Sequence, residues 1–312
     1  MEKNWKAYVR IARPDHWIKQ LFILPGVWLA GVMVGVNSKA ILPVILGLLA
    51  TSFAASANYV INEWLDAEFD KYHPVKKNRP AVTEGLNPKI VYAEYACFVV
   101  VSLILSAMIN WPTFAMIVAL LVMGVLYNVR PFRTKDIPYL DVLSESINNA
   151  LRFAIGWFCI APAYYPPLSF VMGYWMVGAF LMASKRFAEY RMIGDPELAK
   201  LYRKSFGGYT ELSLLLSAIF YGFLAVFFCG VFLIKYRIEL LLAIPAICGL
   251  FCYYLSICYK PDSAAQKPEK LFLEKWLMLY VALLIILFFV LYNIRIPSLD
   301  MFLRTELVGI GS

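Results

Sequence analysis

Residues 40–70 read AILPVILGLLATSFAASANYVINEWLDAEFD. The first 22 of these, through Ile61, carry no charged side chain, and the last nine carry four acidic ones. A run of that length crosses a hydrocarbon core of about 30 Å as a helix. It is too continuous for a barrel strand, in which apolar and polar residues alternate. Outward from it, apolar runs recur at 21–36, 90–109, 111–127, 138–163, 168–183, 212–234, 240–257 and 271–294. Hydrophobic residues make up 61% of the 312 residues and charged ones 16%, against about 45–50% and about 25% in soluble domains. That balance excludes a soluble, a disordered or a fibrous chain. Inside a bilayer the backbone must satisfy its own hydrogen bonds. The expected fold is therefore an all-α integral membrane protein, a bundle of about nine transmembrane helices. It forms one domain over 1–312, with polar cytoplasmic loops at 62–89, 128–141 and 184–211.

Lysine and arginine set the orientation. With the N-terminus in the cytoplasm, 23 of the 29 basic residues fall on the cytoplasmic side, five fall outside, and Arg152 lies within a span. That asymmetry is the positive-inside pattern, and it places the chain as a multi-pass protein of the plasma (inner) membrane. It also accounts for the net charge of +8, so the basic balance points to no nucleic-acid partner. The six cysteines (Cys97, Cys159, Cys229, Cys248, Cys252 and Cys258) lie in apolar runs without a C-x-x-C pair and read as small buried hydrophobes. The first apolar run lacks an A-x-A-type cleavage site and reads as a retained span. The sequence shows neither a fixed-period repeat nor a low-complexity tract.

The chemistry gathers in the cytoplasmic segments. Asn58, Asn62, Asp66 and Asp70 are four residues apart, so a helix continuing through them carries them as a slowly drifting stripe on one face. Carboxylates about 6 Å apart on one face can share Mg²⁺ and hold a diphosphate, because Mg²⁺ takes few protein carboxylates and completes its shell with phosphate and water. The competing reading is a solvated acidic helix end, which the dipole at a helix C-terminus disfavours. The basic loop Lys71-Tyr72-His73-Pro74-Val75-Lys76-Lys77-Asn78-Arg79-Pro80 follows directly. It either holds phosphate oxygens or serves only as a positive-inside loop. Lys135, Asp141, Glu145, Asn148, Asn149 and Arg152 extend a polar face into the fifth span, where ionisable groups mark function or an internal ion pair. Lys185, Arg186, Glu189 and Arg191 crowd one helix end, a grouping that can grip phosphate. Lys19 sits at the interface near Trp17 as an anchor or a phosphate ligand.

These residues resemble the UbiA-type membrane prenyltransferase superfamily. Asn62-x-x-x-Asp66-x-x-x-Asp70 looks like its first aspartate motif, with Glu63 where that motif usually has Asp. The superfamily's second motif, D-x-x-x-D, is replaced here by Lys185-Arg186-x-x-Glu189-x-Arg191. In this the chain resembles the decaprenyl-phosphate phosphoribosyltransferase branch more. The same holds for Arg13-Pro14-x-x-Trp17-x-Lys19, for His73-Pro74-x-Lys76-x-x-Arg79-Pro80, for Lys135 with Asp141 and Arg152, and for Tyr209-Thr210.

The resemblance implies a UbiA-like bundle and transfer of a 5-phosphoribosyl group from phosphoribosyl diphosphate to a polyprenyl phosphate, with Mg²⁺ as cofactor. By it, Asn62, Asp66 and Asp70 hold the metal. Asp66, Asp70, Lys135 and Asp141 are the catalytic candidates, and Asp141 either binds ribose hydroxyls or orients Lys135. The substrate-binding candidates are Lys19, Asn58, Lys76, Arg79, Tyr127, Arg152, Lys185, Arg186, Glu189 and Arg191. The lipid nucleophile is already an anion, so His73 is not required as a base. A prenyltransferase acting on a prenyl diphosphate is the alternative, and a transporter is disfavoured because the charges gather at one face rather than at the midplane.

The orientation is directly testable. In a background without native cysteines, Tyr165→Cys is expected to react with a membrane-impermeant maleimide on intact cells. Lys77→Cys is expected to react only after permeabilisation. The opposite pattern would invert the topology.

Overall fold

The computed structural model describes residues 5–35, 40–71, 76–260, 263–266, 271 and 273–299, without the side chains of Phe69, Lys76 and Gln266. Among these residues there are helices and no strand. In chain order they are α1 (Trp5–Ile11), α2 (Leu24–Val34), α3 (Ile41–Asp70), α4 (Pro80–Thr83), α5 (Pro88–Ala107), α6 (Trp111–Asn128), α7 (Leu140–Ile160), α8 (Leu168–Ile193), α9 (Pro196–Tyr202), α10 (Glu211–Tyr236), α11 (Ile244–Cys258) and α12 (Lys275–Asn293). Short 3₁₀ segments at Pro14–Ile23 and Ile238–Ala243 lead into α2 and α11.

Eight helical stretches are long and apolar enough to cross a membrane among the described residues. The expected bundle of about nine is approximate by one helix on this measure. The helix that drops out is α7, which is 21 residues long but carries Asp141, Glu145, Asn148, Asn149 and Arg152. Its Asp141, Ser144 and Ser146 are buried inside the protein, so the helix needs no apolar face all round. The first span is also longer than the apolar run at 21–36 implies, because the helical path begins at Trp5 and runs to Val34.

Two helices overshoot the bilayer. At 1.5 Å per residue, the 30 residues of α3 extend about 45 Å, well beyond a hydrocarbon core of about 30 Å. The excess is the acidic end, Asn62 to Asp70. Likewise α8 runs 26 residues through Ile193, so Lys185, Arg186, Glu189 and Arg191 are helical rather than part of a loop beginning at 184. Gly194 ends α8 at φ 70, a left-handed conformation that glycine adopts without strain.

The chain divides into two compact units, Met1–Pro166 with Tyr202–Ser205, and Pro167–Leu201 with Phe206–Ser312. In the first, α3 packs against α5, α6 and α7. Its small residues Ala50, Ala54 and Ala57 are fully buried against Ile117, Leu120 and Ile155, as close-packed membrane helices require. α2 and α7 meet through glycine on both sides. A Cβ on Gly26 would lie 1.9 Å from the Phe153 carbonyl oxygen, and one on Gly156 would lie 1.9 Å from that of Ile23. In the second unit α8 lies along α10, and Phe180 of α8 meets Phe251 of α11 with ring centres 4.6 Å apart and planes tilted by 35°.

Backbone cannot yield as a side-chain tip can. Gly156→Ala is therefore expected to cost about 1–3 kcal/mol, the scale of overpacking, and to lower the midpoint of thermal unfolding in detergent by several degrees. Gly230→Ala, with nothing within 4 Å of the added methyl, is the control and should leave it unchanged.

Candidate active site

The stripe on α3 finds a different partner at each turn. Asn58 Nδ2 donates to the Leu120 carbonyl oxygen at 3.2 Å. It fits because residue 124 is glycine, where a Cβ would stand 1.9 Å from Asn58 Oδ1. Asn62 Nδ2 donates to Asn128 Oδ1 at 2.5 Å. Asp66 Oδ1 accepts from Lys135 Nζ at 2.6 Å and from Arg133 Nη2 at 2.7 Å. Asp70 Oδ2 accepts from Arg79 Nη1 at 2.5 Å. The stripe therefore runs from α6, through the segment after α6, to the basic loop.

Asn128, the last residue of α6, ties this together. Its Oδ1 accepts from Asn62 and, at 2.9 Å, from Lys135 Nζ, and its Nδ2 donates back to the Gly124 carbonyl oxygen at 2.9 Å. Its own carbonyl oxygen accepts from Arg133 Nη1 at 3.3 Å. Arg133 also donates from Nε to Asp136 Oδ2 at 2.9 Å. Arg133 has φ 30, a left-handed conformation unusual for a residue with a side chain and found where function holds the backbone under strain. The Lys135 side chain is 8% exposed. Burial pushes its ammonium down to about 8, while the Asp66 carboxylate pulls the other way.

The other candidates of this unit have partners of their own, and Tyr127 among them reaches that centre. Tyr127 donates from its hydroxyl to Glu145 Oε2 at 2.9 Å, and Lys135 Nζ sits 5.9 Å from the Tyr127 ring centre. Arg152 Nε donates to Gln20 Oε1 at 2.8 Å and its Nη1 to Asn149 Oδ1 at 3.4 Å. Asp141 has no exposed surface, and its Oδ2 accepts from Ser205 Oγ at 3.0 Å. Lys19 Nζ lies 3.5 Å from His16 Nδ1. The Lys76 side chain and His73 lie outside the described residues.

In the second unit, Arg186 is buried at 2% exposure and donates from Nη1 to Glu189 Oε2 at 3.3 Å, while Lys185 Nζ lies 4.0 Å from Glu189 Oε1. Arg191 pairs with Glu211, and its guanidinium sits 4.6 Å from the Tyr259 ring centre.

Among the described residues no three Asp, Glu, His or Cys side chains converge into a metal cage. Asn62, Asp66 and Asp70 share a face over two turns. A carboxamide and two carboxylates suit an ion that takes few protein ligands and fills its shell with phosphate oxygens and water.

Sequence reasoning passed over four residues of this centre. Arg133 counted only as a positive-inside charge, and Asn128 and Ser205 carried no signal beyond being polar near an apolar run. Arg13 stands in the sequence only as part of an N-terminal motif, yet its Nη2 donates to Glu63 Oε2 at 2.6 Å.

Residues 21–276 match the model of the UbiA prenyltransferase family. A decaprenyl-phosphate phosphoribosyltransferase of Corynebacterium glutamicum is 28% identical over 220 residues, which are 66% of this chain and 60% of that protein. A protoheme IX farnesyltransferase of Geobacillus kaustophilus is 27% identical over 178 residues, 55% of this chain and 57% of that protein. The fold is that of a UbiA homologue from Archaeoglobus fulgidus solved bound to GPP and Mg²⁺. Its TM-score is 0.67 at 22% identity, covering 92% of this chain and 100% of that one. With the match to the family model spanning most of the chain and a shared fold over nearly all of it, this multi-pass membrane protein belongs to the UbiA prenyltransferase family.

Proposed function

We propose that the protein transfers a 5-phosphoribosyl group from phosphoribosyl diphosphate to a polyprenyl phosphate, at the cytoplasmic face of the plasma membrane and with Mg²⁺. The observation that carries this reading is the end of α8. Lys185 and Arg186 there close on a single carboxylate, Glu189, in the segment where a second aspartate motif would serve a prenyl diphosphate. The similarity to the Corynebacterium glutamicum phosphoribosyltransferase supports the same choice of donor.

The residues divide the work. Asn62, Asp66 and Asp70 would hold Mg²⁺, which supplies neutralisation of the leaving diphosphate. Lys135 and Arg133, both on Asp66, fix that carboxylate and place positive charge beside the same group. Arg79 on Asp70 adds a third cation, and in the other unit the Lys185–Arg186 pair is by itself a group able to grip phosphate. A lipid phosphate oxygen forms the bond to the anomeric carbon as the bond to diphosphate breaks, and since that oxygen is already ionised no side chain need take a proton. The fully buried Asp141 serves as a positioning group, held by Ser205. Asn58 Oδ1 and Asn148 Oδ1 are buried without a partner among the described residues and add acceptor capacity inside the unit.

Purified protein in detergent, given radiolabelled phosphoribosyl diphosphate, a polyprenyl phosphate and Mg²⁺, is expected to move label into the organic phase, and chelator should abolish this. Turnover of a prenyl diphosphate instead would favour the activity named for the Geobacillus kaustophilus relative. Asp66→Asn and Asp70→Asn are each expected to lower turnover by about 10²-fold or more, the scale of removing one electrostatic contact to a transition state. Full activity in both would remove the metal assignment.

Lys135→Met is expected to cost about 10–100-fold in kcat through the lost charge. Lys135→Arg should recover part of it, because the cation at Asp66 is restored without the same fit to Asn128. Equal activity of all three proteins would take Lys135 out of the site.

A further inference from the structure

Glu63 lies on α3 seven residues before Asp70, so the two carboxylates share a face two turns apart. It is almost wholly buried, at 1% exposure. One of its oxygens, Oε2, accepts from Arg13 twice, from Nη2 at 2.6 Å and from Nε at 3.2 Å. The other, Oε1, accepts from the backbone N–H of Ala81 at 3.5 Å. Ala81 belongs to α4, and the residue preceding that helix is Arg79, whose carbonyl oxygen accepts from Val82 and Thr83. The Arg79 guanidinium meanwhile rests on Asp70. Two carboxylates of one helix thus hold Arg79 from both ends, Asp70 by the side chain and Glu63 by the backbone two residues on. Arg13 is held in the left-handed region at φ 50 while it makes this bond, and strain of that kind persists where the surroundings over-determine the residue. Arg13, His16, Glu63, Asn78 and Arg79 together line an open cleft of about 550 Å³.

We propose that Glu63 is a positioning residue rather than a metal ligand: locked by Arg13, it fixes the backbone just after the basic loop, at Ala81 of α4, so that Arg79 meets the donor's diphosphate beside Asp70. This rests on the reading of the donor as phosphoribosyl diphosphate. It also explains why the position is Glu and not Asp. A side chain one methylene shorter would draw the carboxylate back by about 1.5 Å, one C–C bond length, and the Ala81 N–H is already at the limit of reach.

The test uses the full chain in detergent with phosphoribosyl diphosphate, a polyprenyl phosphate and Mg²⁺. Glu63→Gln and Arg13→Gln are each expected to raise the donor KM about tenfold, with kcat within about threefold and the Mg²⁺ concentration for half-maximal rate unchanged. The double variant should be no worse than the worse single one. Glu63→Asp keeps the charge and loses the Ala81 bond, so it should raise the donor KM about threefold, and it serves as the folded variant if Glu63→Gln does not assemble. A collapse of kcat with a shifted Mg²⁺ requirement would make Glu63 a ligand, and additive single effects would break the link to Arg13. A second readout needs no activity. Tryptic cleavage after the exposed Lys77 should be about fivefold faster in Glu63→Gln and in Arg13→Gln than in the unaltered protein, and equal rates would overturn the clamp. If the unaltered protein transfers no phosphoribosyl group, the donor reading falls, while the cleavage rates still decide the clamp by themselves.

Discussion

A single carboxylate oxygen, Asp66 Oδ1, takes both Lys135 and Arg133 in a site where the two cations are no more than about a tenth exposed. Charges so far from water are costly unless each is paired and hydrogen-bonded. The segment after α6 is built to meet that demand. Asn128 supplies its side-chain oxygen to Lys135 and its backbone oxygen to Arg133, and Asp136 takes a further Arg133 contact. Removing any one member leaves an uncompensated group behind. The left-handed Arg133 backbone follows from the same constraint, since the chain must turn back to bring two successive cations onto one oxygen.

That cluster exists where it does because α3 is longer than the membrane is thick. Its uncharged part crosses the bilayer and its last two turns emerge with the carboxylates. A helix C-terminus carries partial negative charge, which adds to their burden. Cations must therefore gather there: Arg13 on Glu63, Lys135 and Arg133 on Asp66, and Arg79 on Asp70. α8 repeats the device within its own unit, ending past the apolar run with Arg186 and Lys185 on Glu189.

Much of this was legible along the chain. A bilayer is a severe solvent, and apolar run length, the positive-inside bias and four-residue spacing report on it directly. The helices and the face bearing Asn62, Asp66 and Asp70 follow from those signals. α7 was legible too, as a run at 138–163 with a polar face, although hiding Asp141 and its serines inside the protein leaves it the length of a span without the composition. The point where α8 ends is not legible, because a polar run beyond a membrane helix looks the same whether or not the backbone goes on coiling.

The sequence by itself determined the class of fold, its family and the residue types of the site, because each is a matter of local periodicity or of a motif within a few turns of one helix. Only the tertiary structure decided which cation serves which carboxylate. Arg13 and Glu63 are 50 residues apart, Arg133 and Asp66 are 67, and Lys135 and Asp66 are 69. Pairing over such distances depends on how α3 and α6 are brought together, through Ala50, Ala54, Ala57 and the gap at Gly124. No periodicity along the chain encodes that juxtaposition.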